Sequence, residues 1–188
     1  MRRFALFLMG LLVLSACAPK NKGKIVVATD ATWPPMEFVN DKKEIVGFDI
    51  DLIKAIAEKG GFEVEIRNTA WDGIFAGLAN GSYDVVISSV TITEERKQQM
   101  DFSEPYVNAG QVIVTKKGAT EKTLADFAGK TMGAQIGTTG AMEIQKNSAI
   151  TLKTYDEVGL AFEDLFLGRI QGVVVDAPTA ASFVLQNP

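Results

Sequence analysis

The sequence predicts an α/β protein built as two sheet-and-helix lobes, and three observations carry that expectation. From Lys24 onward, short apolar runs of strand length alternate with amphipathic stretches of helical period, an order that favours a parallel sheet covered by helices. The alternation breaks near Asn108-Ala109-Gly110 and then starts a second cycle. The composition, 47% apolar and 22% charged over 188 residues, supplies a core for one or two small domains.

The elements follow in order. Ile25 to Ala28 is a continuous apolar run, expected as a buried strand. Phe48 to Lys59 sets Leu52, Ile53, Ile56 and Ala57 on one helical face and stops at Gly60-Gly61. Phe62 to Ile66 alternates as a strand, Asp72 to Ala79 reads as a helix capped by Asp72, and Val85 to Ser88 is a third strand. The second cycle has strands at Gln111 to Thr115 and Thr131 to Gln135, a helix from Gly140, a strand at Thr151 to Tyr155, a helix from Asp156 to Leu167 and a strand at Val173 to Val175. Ligands of open α/β sheets sit at the carboxyl ends of strands, so two facing lobes predict a cleft between them.

The first residues indicate where the chain works. Arg2 and Arg3 precede an apolar run from Phe4 to Val13, which is short for a bilayer span, and Leu14-Ser15-Ala16 leads into Cys17. Residues 1–16 therefore read as a lipoprotein signal peptide, Cys17 as the lipidated first residue of the mature chain, and 17–23 as a solvated tether. Losing two of the 19 basic residues and none of the 23 acidic ones moves the net charge from −4 to −6, which argues against a nucleic-acid surface. Histidine is absent, so it serves neither as general base nor as metal ligand, and Cys17 is the only cysteine. No metal site, cofactor or catalytic residue is expected.

Arg96 is the most informative side chain. It follows Thr91-Ile92-Thr93-Glu94-Glu95 and precedes Asp101-Phe102-Ser103-Glu104-Pro105-Tyr106, where a permanent charge and a planar fork of donors suit a carboxylate. Further blocks stand at Asp30 with Trp33-Pro34-Pro35 and Phe38, at Gly47 to Leu52, at Trp71-Asp72-Gly73, at Ser88 to Arg96, at Gly137 to Gly140, and at Val173-Val174-Val175-Asp176-Ala177-Pro178. Together they resemble the periplasmic polar-amino-acid-binding proteins of ABC importers, the solute-binding family that includes glutamine, histidine and lysine/arginine/ornithine binders. The resemblance covers Lys24 to Pro188.

It implies a two-lobed periplasmic-binding-protein type II fold with a hinge and an interlobe cleft. The expected division is a first lobe over 24–109 and a crossover with the second lobe over 110–188. Because the family's chain continues past the Asp176 block and returns to complete the first lobe, both lobes are expected to be incomplete at the C-terminus. Phe183, Val184 and Leu185 would then lie beside an exposed sheet edge. By resemblance, Arg96 and Thr91 hold the ligand's α-carboxylate, Ser89 contacts its α-groups, Thr139 offers a helix start to the same carboxylate, and Asp176 takes the α-ammonium. Trp33 and Trp71 flank the ligand side chain, Asp30 meets its distal group, and Gln135 occupies a variable ligand position. Two indoles and a carboxylate suit a cation, so arginine or another basic amino acid is favoured and glutamine comes next.

The implied function is an extracytoplasmic, lipid-anchored binding protein, on the periplasmic or extracellular face of a bacterial membrane, that delivers an amino acid to an ABC transporter permease. The sequence leaves open which membrane carries the anchor. Two alternatives are a ligand-sensing domain of a larger protein and a dehydratase-like enzyme on the same fold.

Overall fold

The computed structural model describes residues 23–186, so the expected signal peptide, the expected lipidation site Cys17 and the tether through Lys22 lie outside the described residues. In the first lobe, β1 (Ile25–Thr29) is flanked on both sides by parallel strands, β5 (Val64–Asn68) and β6 (Val85–Val86). An interior parallel strand has two covered faces, which explains why β1 reads as an unbroken apolar run. Val27 packs with Ile53 of α1 (Phe48–Gly60) and with Ile87, while Ala28 points the other way to Ile74 of α2 (Ile74–Ala79) and to Tyr83.

A second small sheet enters between β1 and α1. β2 (Thr32–Trp33), β3 (Glu37–Val39) and β4 (Ile45–Val46) form an antiparallel meander in which Trp33 faces Glu37. The meander seats the start of α1, since Met36 accepts the Asp49 N–H at 2.9 Å. Gly47 makes this possible: its φ is 129°, and a Cβ there would stand 2.2 Å from the Met36 carbonyl oxygen.

The second lobe carries a four-stranded sheet ordered β7, β10, β8, β9, from β7 (Gln111–Val114), β10 (Gly172–Asp176), β8 (Thr131–Gln135) and β9 (Thr151–Tyr155). β10 is buried at every position and alternates between two cores. Val173 and Val175 join Val158, Phe162 and Leu165 of α5 (Val158–Phe166), whereas Val174 joins Met132, Ala141 and Ile144 on the side of α4 (Thr139–Gln145). Trp33 and Met36 of the first lobe pack into the α5 core, so the meander bridges the two lobes.

Several expectations are corrected. The second sheet is mixed, because β7 runs antiparallel to β10, as a strand entering from the other lobe can do without a helical crossover. The cap of α2 is Gly73 in a left-handed conformation with no side-chain bond, so Asp72 stays exposed. On α1 the buried stripe is Asp49, Ile50, Ile53 and Ala57, and Ile56 is 46% exposed because it falls on the flank of that stripe. The strand expected at Phe62 to Ile66 lies two residues later, after the left-handed Gly61 that closes α1. Phe183, Val184 and Leu185 lie on α6 (Ala177–Gln186), which packs beside the edge strand β7, and Phe183 stacks on Phe162 with centroids 4.1 Å apart. The meander and the short helix α3 (Glu94–Lys97) are additions, since two- to four-residue elements are below what periodicity detects.

Candidate functional site

The carboxyl ends of β1, β6, β8 and β10 converge on a cleft between the lobes. All nine side chains singled out from the sequence line it: Asp30, Trp33, Trp71, Ser89, Thr91, Arg96, Gln135, Thr139 and Asp176. Glu37, Ser88 and Thr138 complete the wall.

Arg96 is held by its own short helix, whose cap Thr93 accepts the Arg96 N–H. Its side chain is 5% exposed, donates to the Thr91 carbonyl at 2.8 Å and reaches across the cleft to the Gly137 carbonyl at 3.0 Å. The guanidinium carbon lies 5.5 Å from the Trp71 ring and 5.1 Å from Phe75. Burial lowers its proton affinity, with Glu95 and Asp176 opposing, and a guanidinium keeps its charge through such a shift. Two of its five N–H donors are spent on carbonyls, so the fork retains donors for an anion.

Asp176 ends β10 just as α6 begins, and is 8% exposed. Burial pushes its carboxyl up to about 6, against hydrogen bonds from Gln111 and Trp33 and the charge of Arg96. Gln111 also donates to Thr139 at 3.1 Å. Asp30 accepts from Thr32 at 2.8 Å and from Gln135 at 2.7 Å, the second a direct bond between lobes. Burial raises its proton affinity, with Gln135 and Thr32 opposing.

Other expected roles are narrowed by what the groups already hold. Ser89 sits at φ 46°, and its N–H and hydroxyl both go to Asp49, at 2.6 and 3.2 Å, so its carbonyl oxygen is what remains for a ligand. Thr138, not Thr139, caps α4 by accepting the Ala141 N–H, which leaves the Thr139 hydroxyl near Thr91 at 3.4 Å. Trp71 lies against Arg96 and edge-on to Phe75, so it shields the guanidinium as well as lining the cleft.

Gln111 is one residue that sequence reasoning missed. The antiparallel register places it opposite Asp176, a pairing that a purely parallel reading of the sheet hides. Glu37 was missed because one acidic residue in a three-residue strand carries no periodic signal of burial.

Comparison with known proteins identifies the family. Residues 25–166 match the bacterial extracellular solute-binding proteins, family 3. A probable histidine-binding protein of Neisseria gonorrhoeae is 36% identical over 94% of this chain and 71% of its own length. The ABC transporter arginine-binding protein 1 of Escherichia coli is 40% identical over 88% of this chain and 68% of its own. Holo ArgBP from T. maritima superposes with a TM-score of 0.85 at 45% identity, covering 90% of this chain and 76% of that one. An ancestral arginine-binding protein bound to glutamine gives a TM-score of 0.85 at 47% identity, over 89% and 75% of the two chains. The chain spans between about half and three quarters of the length of the curated relatives it matches, from 51% to 73%.

Proposed function

The chain belongs to family 3 of the bacterial extracellular solute-binding proteins, and we propose that it captures a polar amino acid, arginine or another basic amino acid first and glutamine next, for delivery to an ABC transporter permease. The observation that carries the ligand choice is the charge balance of the cleft. A zwitterionic amino acid needs one cation and one anion, which Arg96 and Asp176 supply. Asp30 is then left over for the side chain, in a cleft that the Trp33 and Trp71 indoles also line, a combination that suits a flat guanidinium. Glutamine is the second choice, because its amide can donate to Asp30 but leaves that charge uncompensated.

Capture is a closure of the lobes, and its driving force is contacts available only when the lobes meet. Asp30 with Gln135, Arg96 with Gly137, and the Trp33–Met36 insertion into the α5 core are contacts of this kind. No bond is made or broken in this function. Lipidation at Cys17 would keep the protein beside its permease, and two or more acyl chains on one residue anchor stably where a single chain does not.

Calorimetry of the full-length protein against arginine, ornithine, lysine, histidine, glutamine and cystine tests the ligand. Arginine should bind tightest, and Arg96→Ala should weaken every ligand by about 2 to 5 kcal/mol by leaving a buried carboxylate unpaired. Unchanged arginine affinity in that variant would move the anion site elsewhere. Cys17→Ser should release the protein from membranes; a product that stays membrane-bound would end the lipoprotein reading.

A further inference from the structure

Behind the Ser88-Ser89 loop lies a pair of carboxyl groups that none of the proposed ligand contacts uses. Glu37 and Asp49 are each 0% exposed. Glu37 Oε1 accepts from the Ser88 hydroxyl at 2.8 Å, and the Ser88 oxygen in turn accepts the Asp30 N–H at 3.0 Å. Asp49 Oδ2 accepts the Ser89 N–H, the Ser89 hydroxyl and the Tyr106 hydroxyl, the last at 2.9 Å. The remaining oxygens, Glu37 Oε2 and Asp49 Oδ1, are buried and meet no donor while both groups are ionised. Because Ser88 and Ser89 are adjacent in the chain, the carboxyls they hold lie side by side, and the charge of Asp49 acts on Glu37.

Two neighbouring carboxylates in a dry site cannot both keep their charge, and one proton between them satisfies both leftover oxygens. That proton belongs on Glu37. Asp49 has three donors and lies in the first turn of the 13-residue helix α1, where the dipole favours an anion. Glu37 has a single hydroxyl donor, and burial together with the charge of Asp49 pushes it well above the usual carboxylate range. The groups facing it are Asp49 from α1, Asp30 from the end of β1, Ser88 from the end of β6 and Tyr106 from the stretch before β7, and none is a cation.

We propose that Glu37 is a positioning residue held as a neutral acid, hydrogen-bonded to Asp49, which fixes the Ser88-Ser89 loop and through Ser88 orients Asp30 toward the ligand. The functional part rests on the amino-acid reading of the cleft; the protonation does not. Loss of the proton sets two charges against each other beneath the loop, displacing Ser88 and Ser89 and with them one wall of the cleft.

The test joins a structural readout to a binding one. In full-length protein labelled with carbon-13 at glutamate carboxyls, the resonance that disappears in Glu37→Gln should lie at the protonated position near neutral pH. Glutamine preserves an acceptor for Ser88 and a donor for Asp49 without a titrating proton. Its arginine affinity should stay within about threefold of wild type, whereas Glu37→Leu should lose about tenfold or more. Toward alkaline pH the wild type should lose arginine affinity more steeply than Glu37→Gln, since titration of arginine's own ammonium is common to both. An ionised Glu37 resonance at neutral pH, a Glu37→Gln variant as weak as Glu37→Leu, or identical alkaline profiles would each overturn the proposal. A protonated resonance in a wild type that binds no arginine would support the carboxyl pair and overturn the ligand reading instead.

Discussion

Asp176→Asn should make this protein more stable and less able to bind. The carboxyl is 8% exposed, and burial moves it from 3.8 to about 6. A folded-state value above the unfolded one means that the native protein binds the proton more tightly. The linked stability is therefore fully present below about pH 4 and is lost as pH rises through about 6. The whole shift corresponds to about 3 kcal/mol of stability forgone at neutral pH by keeping this carboxylate ionised in the cleft. Asparagine keeps an oxygen for the Gln111 donor and removes the charge, but sacrifices the attraction to Arg96 and part of the bond from Trp33. The net gain should be about 1 to 3 kcal/mol at neutral pH, shrinking toward zero near pH 4. Urea unfolding of both proteins across this range measures it, and calorimetry on the same samples should show a large loss of arginine affinity. A variant that is no more stable at neutral pH, or a difference between the two proteins that does not change with pH, would refute the reasoning.

Asp30→Asn should weaken arginine far more than glutamine, because Asp30 faces the side chain while Arg96 and Asp176 face the groups all amino acids share; equal losses in calorimetry would leave Asp30 a purely structural role through Thr32 and Gln135. Gly140→Ala should destabilise the second lobe by about 1 to 3 kcal/mol, since a Cβ there would stand 2.6 Å from the Val174 carbonyl oxygen and 3.1 Å from Gln111 Oε1. Because Gln111 holds Asp176, the same change should also lower ligand affinity, and a chemical melt that matches wild type would show that α4 shifts without cost.

The cleft residues were assigned by family resemblance, and several of them also sit where the local pattern places a chain turn. Asp30, Ser89, Gln135 and Asp176 each follow or close an apolar strand, and in an α/β sheet the carboxyl end of a strand is where the chain turns into the cleft. Thr139 stands at the start of a helix beside that same edge, and Arg96 stood out by its chemistry next to the Thr91-Ile92-Thr93 run. What those groups bond to is a different kind of information. Gln111 reaches Asp176 across 65 residues, Ser88 reaches Glu37 across 51, and Ser89 reaches Asp49 across 40. Each of these pairings depends on a fact outside any local window: the antiparallel entry of β7, or the meander that folds β3 over the start of α1. The same distinction separates the two kinds of acid in this lobe. Asp30 follows the first strand and stands in the cleft, while Glu37, in a short strand soon after it, carries no sequence signal of burial and is buried. A lone carboxyl is placed in such a site only if something neutralises it; in the proposal above that is a proton, and Asp49, whose charge favours it, looks in sequence like an ordinary acid at the start of a helix. The cleft's walls were therefore visible one residue at a time, and the network that holds them rigid emerged only when the lobe was assembled.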